Sequence, residues 1–189
     1  MLDALEIADV HVVGHSLGGG VAFELGALGR ARTIIGLAPA GLWGGEHQAT
    51  VSRLRLQTTH IVTSLSRPVA RPFVKLATRY APLPHGLTGD AALALYDSYS
   101  GAPGFDPVLR GVTATPFTDG DLLTMPVTAV FGTKDRVILS GDRNRDRLPA
   151  HTRWVELRGA SHNVPWERRS DIIRTIHETT GSAETGVSR

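Results

Sequence analysis

Apolar positions in this chain fall into short β-branched runs, separated by stretches in which they recur every three or four residues. Residues 10–13 (VHVV) form the first run and end at Gly14, a strand signature. Three glycines at 18–20 then lead into VAFELGALG, where Val21, Leu25 and Leu28 repeat at helical spacing. Residues 33–37 (TIIGL), closed by Pro39, predict a second strand. Residues 127–131 (VTAVF) predict a third and 153–157 (RWVEL) a fourth. A helical pattern follows the last run at 171–177 (DIIRTIH), and residues 2–8 (LDALEIA) read as the end of an amphipathic helix. Apolar strands alternating with helices predict an α/β fold with a mainly parallel sheet covered on both faces.

Residues 41–121 break this rhythm. They predict helices over roughly 46–65, 69–80 and 88–99, separated by Pro82 and Pro84 and followed by a loop at 101–107. The expected organisation is therefore a core of residues 1–40 and 122–180, a helical insertion at 41–121, and a polar, frayed tail at 181–189. Between residues 41 and 80, six basic residues (Arg53, Arg55, Arg67, Arg71, Lys75, Arg79) face one acid, Glu46, a bias expected of a solvated face.

Composition narrows the function. The 189 residues suit one domain's worth of chain. Cysteine is absent, which excludes a disulfide framework, a thiolate nucleophile and Cys-ligated zinc. A formal net charge of +2 is far from that of a dedicated nucleic-acid binder. No apolar run reaches the ~20 residues of a membrane span. The first ten residues carry three acids and no base, unlike a secretory signal. A soluble, cytoplasmic protein without nucleic-acid or membrane partners is the expectation. No metal is implied, because His and acidic residues do not cluster at ligand spacing. No nucleotide cofactor is implied either: GHSLGGG has neither the G-x-G-x-x-G pattern nor the lysine of a phosphate loop.

The sharpest local signal is Gly14-His15-Ser16-Leu17-Gly18, a G-x-S-x-G between a predicted strand and a predicted helix. A serine at the tip of such a turn is strained and lifted clear of the sheet, and the flanking Gly14 and Gly18 are expected to avoid clashes. The alternative is a glycine-rich packing turn with an incidental serine. A serine hydroxyl needs a base, and the base needs an orienting acid. His162, in RGASH just beyond the fourth run, has the best setting among the eight histidines. His15 adjoins Ser16 and is expected to point away. His11 reads as a strand histidine, and His47, His60, His85, His151 and His177 as surface residues. Asp135, four residues past the third run, fits the orienting acid. Asp142 and Asp146, within GDRNRDR, read as surface salt-bridge partners.

Ser16, Asp135 and His162 occur in the order Ser, Asp, His, and here the chain resembles the α/β-hydrolase superfamily, in particular capped bacterial hydrolases with a GHSxGG elbow. The resemblance extends over most of residues 1–180. Gly132 to Asp135 matches the family's G-x-x-D, Gly159 to His162 its G-x-x-H, and the helical insertion its cap. It implies Ser16 as nucleophile, His162 as general acid/base, Asp135 as its orienter and the Leu17 backbone N–H as an oxyanion donor. It also implies a small-molecule acyl substrate, such as a carboxylic ester, and an acyl-enzyme. Perhydrolysis and carbon–carbon hydrolysis use the same triad and remain alternatives. A serine at the elbow argues against the family's dehalogenases and epoxide hydrolases, which place an aspartate there.

The chain departs from the family before the elbow, where only thirteen residues precede Gly14 instead of several strands and the loop that supplies the second oxyanion N–H. The VHVV strand is thus expected at an exposed sheet edge. A start upstream of Met1 is the expected remedy, with a second chain completing the sheet, or a non-catalytic fragment or ligand-binding relative, as the alternatives.

Overall fold

The computed structural model describes residues 2–80 and 89–184. The chain divides into two compact units, one of Met1–Gly44 with Thr115–Arg189 and one of Gly45–Ala114.

The first unit is an α/β layer structure. Strands β1 (Val10–His15), β2 (Ala31–Leu37), β3 (Val127–Gly132) and β4 (Arg153–Leu157) form one sheet in the order β1-β2-β3-β4. All three pairings are parallel. Helix α1 (Leu17–Ala27) follows β1, and helices α5 (Val164–Glu167) and α6 (Arg169–Glu184) follow β4. The central strands are buried on both faces, as a parallel sheet requires. On one face Ile35, Leu37 and Val130 pack with Ala160, Val164 and Ile172. On the other, α1 lies so close that a Cβ on Gly26 would come 2.3 Å from Ile34 Cδ1. Strand β1 lies at the edge of the sheet, as expected, with Val13 43% exposed.

Several boundaries differ from the sequence reading. Residues 2–8 hold only one turn of 3-10 helix, Asp3–Leu5, because Glu6 turns left-handed at φ 54°. Arg30 then fastens the segment, donating to the carbonyls of Ile7 and Ala8 and to Asp3 Oδ1. The core unit extends past residue 40, since Leu42 and Trp43 are buried and Phe117 N–H donates to the Gly41 carbonyl. At the other end α6 continues through Glu184, four residues into the expected tail.

The second unit is helical: α2 (Glu46–Tyr80), α3 (Gly89–Ser100) and α4 (Phe105–Ala114). Helix α2 runs unbroken through Pro68 and Pro72 where two helices were expected. Both prolines are exposed, so water can serve the carbonyls that lose their helical donors. The expected loop at 101–107 is shorter, because α4 starts at Phe105. Pro107 sits in its first turn, where no N–H has a helical partner. Pro82, Pro84 and His85 lie outside the described residues. The basic bias is only partly a solvated face, since Arg67 and Arg71 both pair with Asp97 of α3. His60 is not a bare surface residue either: its ring stacks on Phe105 at 4.1 Å.

Candidate active site

At the C-terminal edge of the sheet the chain leaves β1 through Ser16, whose backbone is at φ 55°, ψ −117°. A non-glycine residue in such a conformation stores on the order of 1–3 kcal/mol of strain. The turn is enforced by close backbone approach. A Cβ on Gly14 would lie 2.0 Å from the Gly18 carbonyl oxygen, and one on Gly19 would lie 2.6 Å from Pro39 Cβ. Gly18 itself has open space around its missing side chain, so the clash expected there does not exist. The Ser16 N–H donates to the Leu37 carbonyl, and the Ser16 carbonyl accepts from Gly19 and Ala40. Leu17 opens α1, and its N–H is therefore one of the donors a helix start leaves without a helical partner.

Two loops bring partners to this serine. After β3, Gly132 lets the loop carrying residue 162 pass against the strand end: a Cβ there would lie 2.3 Å from the carbonyl oxygens of both Ala160 and Ser161. Lys134 N–H donates to the Ala160 carbonyl at 2.8 Å, tying the two loops together. Asp135 is buried, and its Oδ1 accepts from the N–H groups of Val137 at 2.7 Å and Ile138 at 3.0 Å. Its Oδ2 accepts from His162 Nδ1 at 3.0 Å. His162 Nε2 lies 3.0 Å from Ser16 Oγ. Ser16 is thus joined in one chain of hydrogen bonds to two residues more than a hundred positions away in sequence.

The electrostatics give that chain a direction. Burial acts to raise the Asp135 pKa, but His162, through its hydrogen bond and charge, and the two backbone N–H donors hold it below the ordinary carboxylate value. An ionised Asp135 accepts the Nδ1 proton of His162, which leaves the Nε2 lone pair facing the Ser16 hydroxyl. The arrangement can therefore draw a proton from Ser16 Oγ.

An alpha/beta hydrolase family model matches residues 1–175. The chain belongs to that family. It is 30% identical to epoxide hydrolase EphH of Mycobacterium tuberculosis, in an alignment covering 93% of this chain and 87% of that protein. Among solved structures, a bromoperoxidase from Bacillus anthracis shares 15% identity with a TM-score of 0.71, covering 95% of this chain and 70% of that one. An enol-lactonase from Burkholderia xenovorans shares 19% identity with a TM-score of 0.63, covering 95% and 68%. These two show the shared fold.

Within this family fold, several residues behave differently from the sequence reading. His15, expected only to point away from Ser16, has a partner of its own: its Nε2 lies 2.9 Å from the His162 carbonyl oxygen, and the two rings are 4.9 Å apart. Asp142 is buried and accepts from Leu139 N–H, capping the turn that follows the Asp135 loop. Arg143, read as part of a surface segment, donates to the carbonyls of Gly132 and Ile138 and so fixes both ends of that loop. Sequence offered no signal for these roles beyond the presence of a polar side chain. His11 pairs with Thr33 on the strand, while His47, His151 and His177 are exposed. Asp146 is exposed too. Among the described residues, no helix is long and apolar enough to cross a membrane.

Proposed function

We propose that this member of the alpha/beta hydrolase family is a serine hydrolase of carboxylic esters or related acyl compounds. The observation that carries the reading is the Ser16–His162–Asp135 chain, with 3.0 Å at each link. Ser16 Oγ attacks the acyl carbonyl while its proton passes to His162 Nε2. The imidazolium, balanced by ionised Asp135, then gives that proton to the departing alkoxide, so an alcohol leaves and an acyl-serine remains. Water attacks the acyl-serine, its proton goes to His162, and collapse returns the proton to Ser16 Oγ and frees the acid. Leu17 N–H supplies a hydrogen bond to the oxyanion of each tetrahedral intermediate.

The similarity to an enzyme named as an epoxide hydrolase favours a second reading, opening of an epoxide. Serine chemistry opposes it. Attack by a hydroxyl on an epoxide carbon gives an ether, which has no carbonyl for water to attack, whereas attack by a carboxylate gives a hydrolysable ester. The experiment is a side-by-side panel of short-chain p-nitrophenyl esters and styrene oxide, with Ser16→Ala as control. Ester turnover that Ser16→Ala abolishes supports the proposal. Epoxide turnover that survives Ser16→Ala overturns it.

A further inference from the structure

His162 makes hydrogen bonds in two directions from a single ring, and each tolerates misplacement of only about 0.5 Å or 10–20°. Yet the ring sits on an irregular loop between β4 and α5, with Gly159 at φ 78°. The peptide flanking it is held from two sides. On the N-terminal side Glu167 of α5 grips Ser161 twice: Oε2 accepts its N–H at 2.7 Å and Oε1 its hydroxyl at 2.5 Å. The same Ser161 hydroxyl oxygen accepts from Asn163 N–H at 3.3 Å. On the C-terminal side the His162 carbonyl faces His15 Nε2 at 2.9 Å. A carbonyl only accepts, so this ring nitrogen of His15 carries the proton. The His15 ring also meets Trp166 of α5 edge-on at 6.1 Å.

We propose that His15 and Glu167 are positioning residues that clamp the peptide of His162 from opposite sides, holding its imidazole at once to Ser16 and to Asp135. The proposal deepens the serine-hydrolase reading and rests on it for its kinetic consequences. His15 is the last residue of β1 and the neighbour of Ser16, so the strand that sets the hydroxyl also sets the backbone of the base, and the two cannot drift apart independently. Glu167 does the same from the helix that the loop enters. A shift near 1 Å in such a group costs on the order of a hundredfold in rate.

His15 Nε2–H can donate from the neutral or the charged ring, and the surroundings of the ring favour the neutral form. Burial lowers its pKa most, and nearby His162 acts in the same sense, while the hydrogen bond to the His162 carbonyl and the charge of Asp135 act against them. Among the described residues, His162 and Asp135 are the titratable groups that act on its ring, and Trp166 adds no charge.

The test compares His15→Phe, which keeps a ring but loses the donor, with His15→Gln, which restores an N–H donor, and with Glu167→Gln. Three readouts are taken on each full chain: the second-order rate of fluorophosphonate labelling, kcat and KM on a p-nitrophenyl ester, and the far-downfield proton NMR resonance of His162 Nδ1–H. The expected result is a 10–100-fold loss of labelling rate and kcat in His15→Phe at nearly unchanged KM, with most of the loss recovered in His15→Gln. The downfield resonance should broaden or vanish in His15→Phe and Glu167→Gln. Wild-type labelling rates and an unchanged resonance in both variants would overturn the clamp, as would failure of His15→Gln to recover activity. If His15→Phe does not fold, Glu167→Gln carries the same comparison. An unlabelled wild type would instead overturn the serine-hydrolase reading, and the NMR comparison would still decide the clamp.

Discussion

The two compact units of this chain bury different things. In the α/β unit the largest fully buried side chains are Trp43, Phe23, Phe131, Ile34 and Ile35. Among the described residues of the helical unit, those buried are Ala49, Ser52, Ala92, Ser100, Thr113 and one large apolar side chain, Leu109. Its bulky apolar residues instead lie along α2 in contact with solvent, with Leu65 77% and Val69 71% exposed. The helices are joined by polar contacts: Arg67 and Arg71 to Asp97, Gln57 to Asp106, and Ser64 to the Ser100 carbonyl. One unit is thus specified by dense packing, down to positions where one added carbon meets a backbone oxygen. The other is specified by helix-forming pattern and scattered ion pairs. A site that must hold three groups at 3.0 Å belongs in the first kind of structure.

That contrast is open to attack at several points. The largest expected effect is at the site itself: Asp135→Asn should lower kcat for ester hydrolysis by about 10⁴ with little change in melting temperature, because the amide no longer holds His162 in the required tautomer. A loss below tenfold would remove Asp135 from the chemistry. Gly14→Ala should come next in severity. With a Cβ only 2.0 Å from the Gly18 carbonyl oxygen, it should cost about 3 kcal/mol in denaturant unfolding and abolish labelling at Ser16.

Truncating the packed core with Ile35→Ala should cost about 2–5 kcal/mol. The matched change in the helical unit, Leu65→Ala, should stay within about 0.5 kcal/mol. Urea titration of the pair measures the contrast directly, and equal losses would mean that Leu65 is covered in solution.

The smallest effect concerns pH. His15 has a pKa below the ordinary 6.5, with burial as the main cause. A histidine whose pKa is depressed by folding contributes stability that is complete above about 6.5 and lost as pH falls from there through the folded value. The melting temperature of the wild type should therefore fall more between pH 7 and pH 5 than that of His15→Phe. Parallel curves would show that His15 is not held neutral.

Much of the α/β unit was legible in the sequence because each strand there is a short run rich in apolar residues with a glycine or proline within two residues of its end. The order Ser16, Asp135, His162 was legible because each stands a few residues beyond such a run. What escaped was whatever depends on where a side chain turns. His15 was read only as a neighbour of Ser16, and its contact with the His162 carbonyl exists only once the loop after β4 meets β1. Gly132 looked like part of a motif, and its function as a gap for the Ala160–Ser161 backbone exists only once two distant loops meet. In the helical unit, the break expected between residues 65 and 69 is absent, because the cost of Pro68 depends on whether water can reach the carbonyl it orphans, and Pro68 is exposed.

The central claim is that Ser16 is made nucleophilic by His162. Its most direct test is the intact mass of the full chain after exposure to a fluorophosphonate, with the adduct mapped by peptide. The account predicts a single adduct on Ser16, present in the wild type and lost in His162→Ala. An unmodified wild type, or a Ser16 adduct that forms equally fast in His162→Ala, would contradict it.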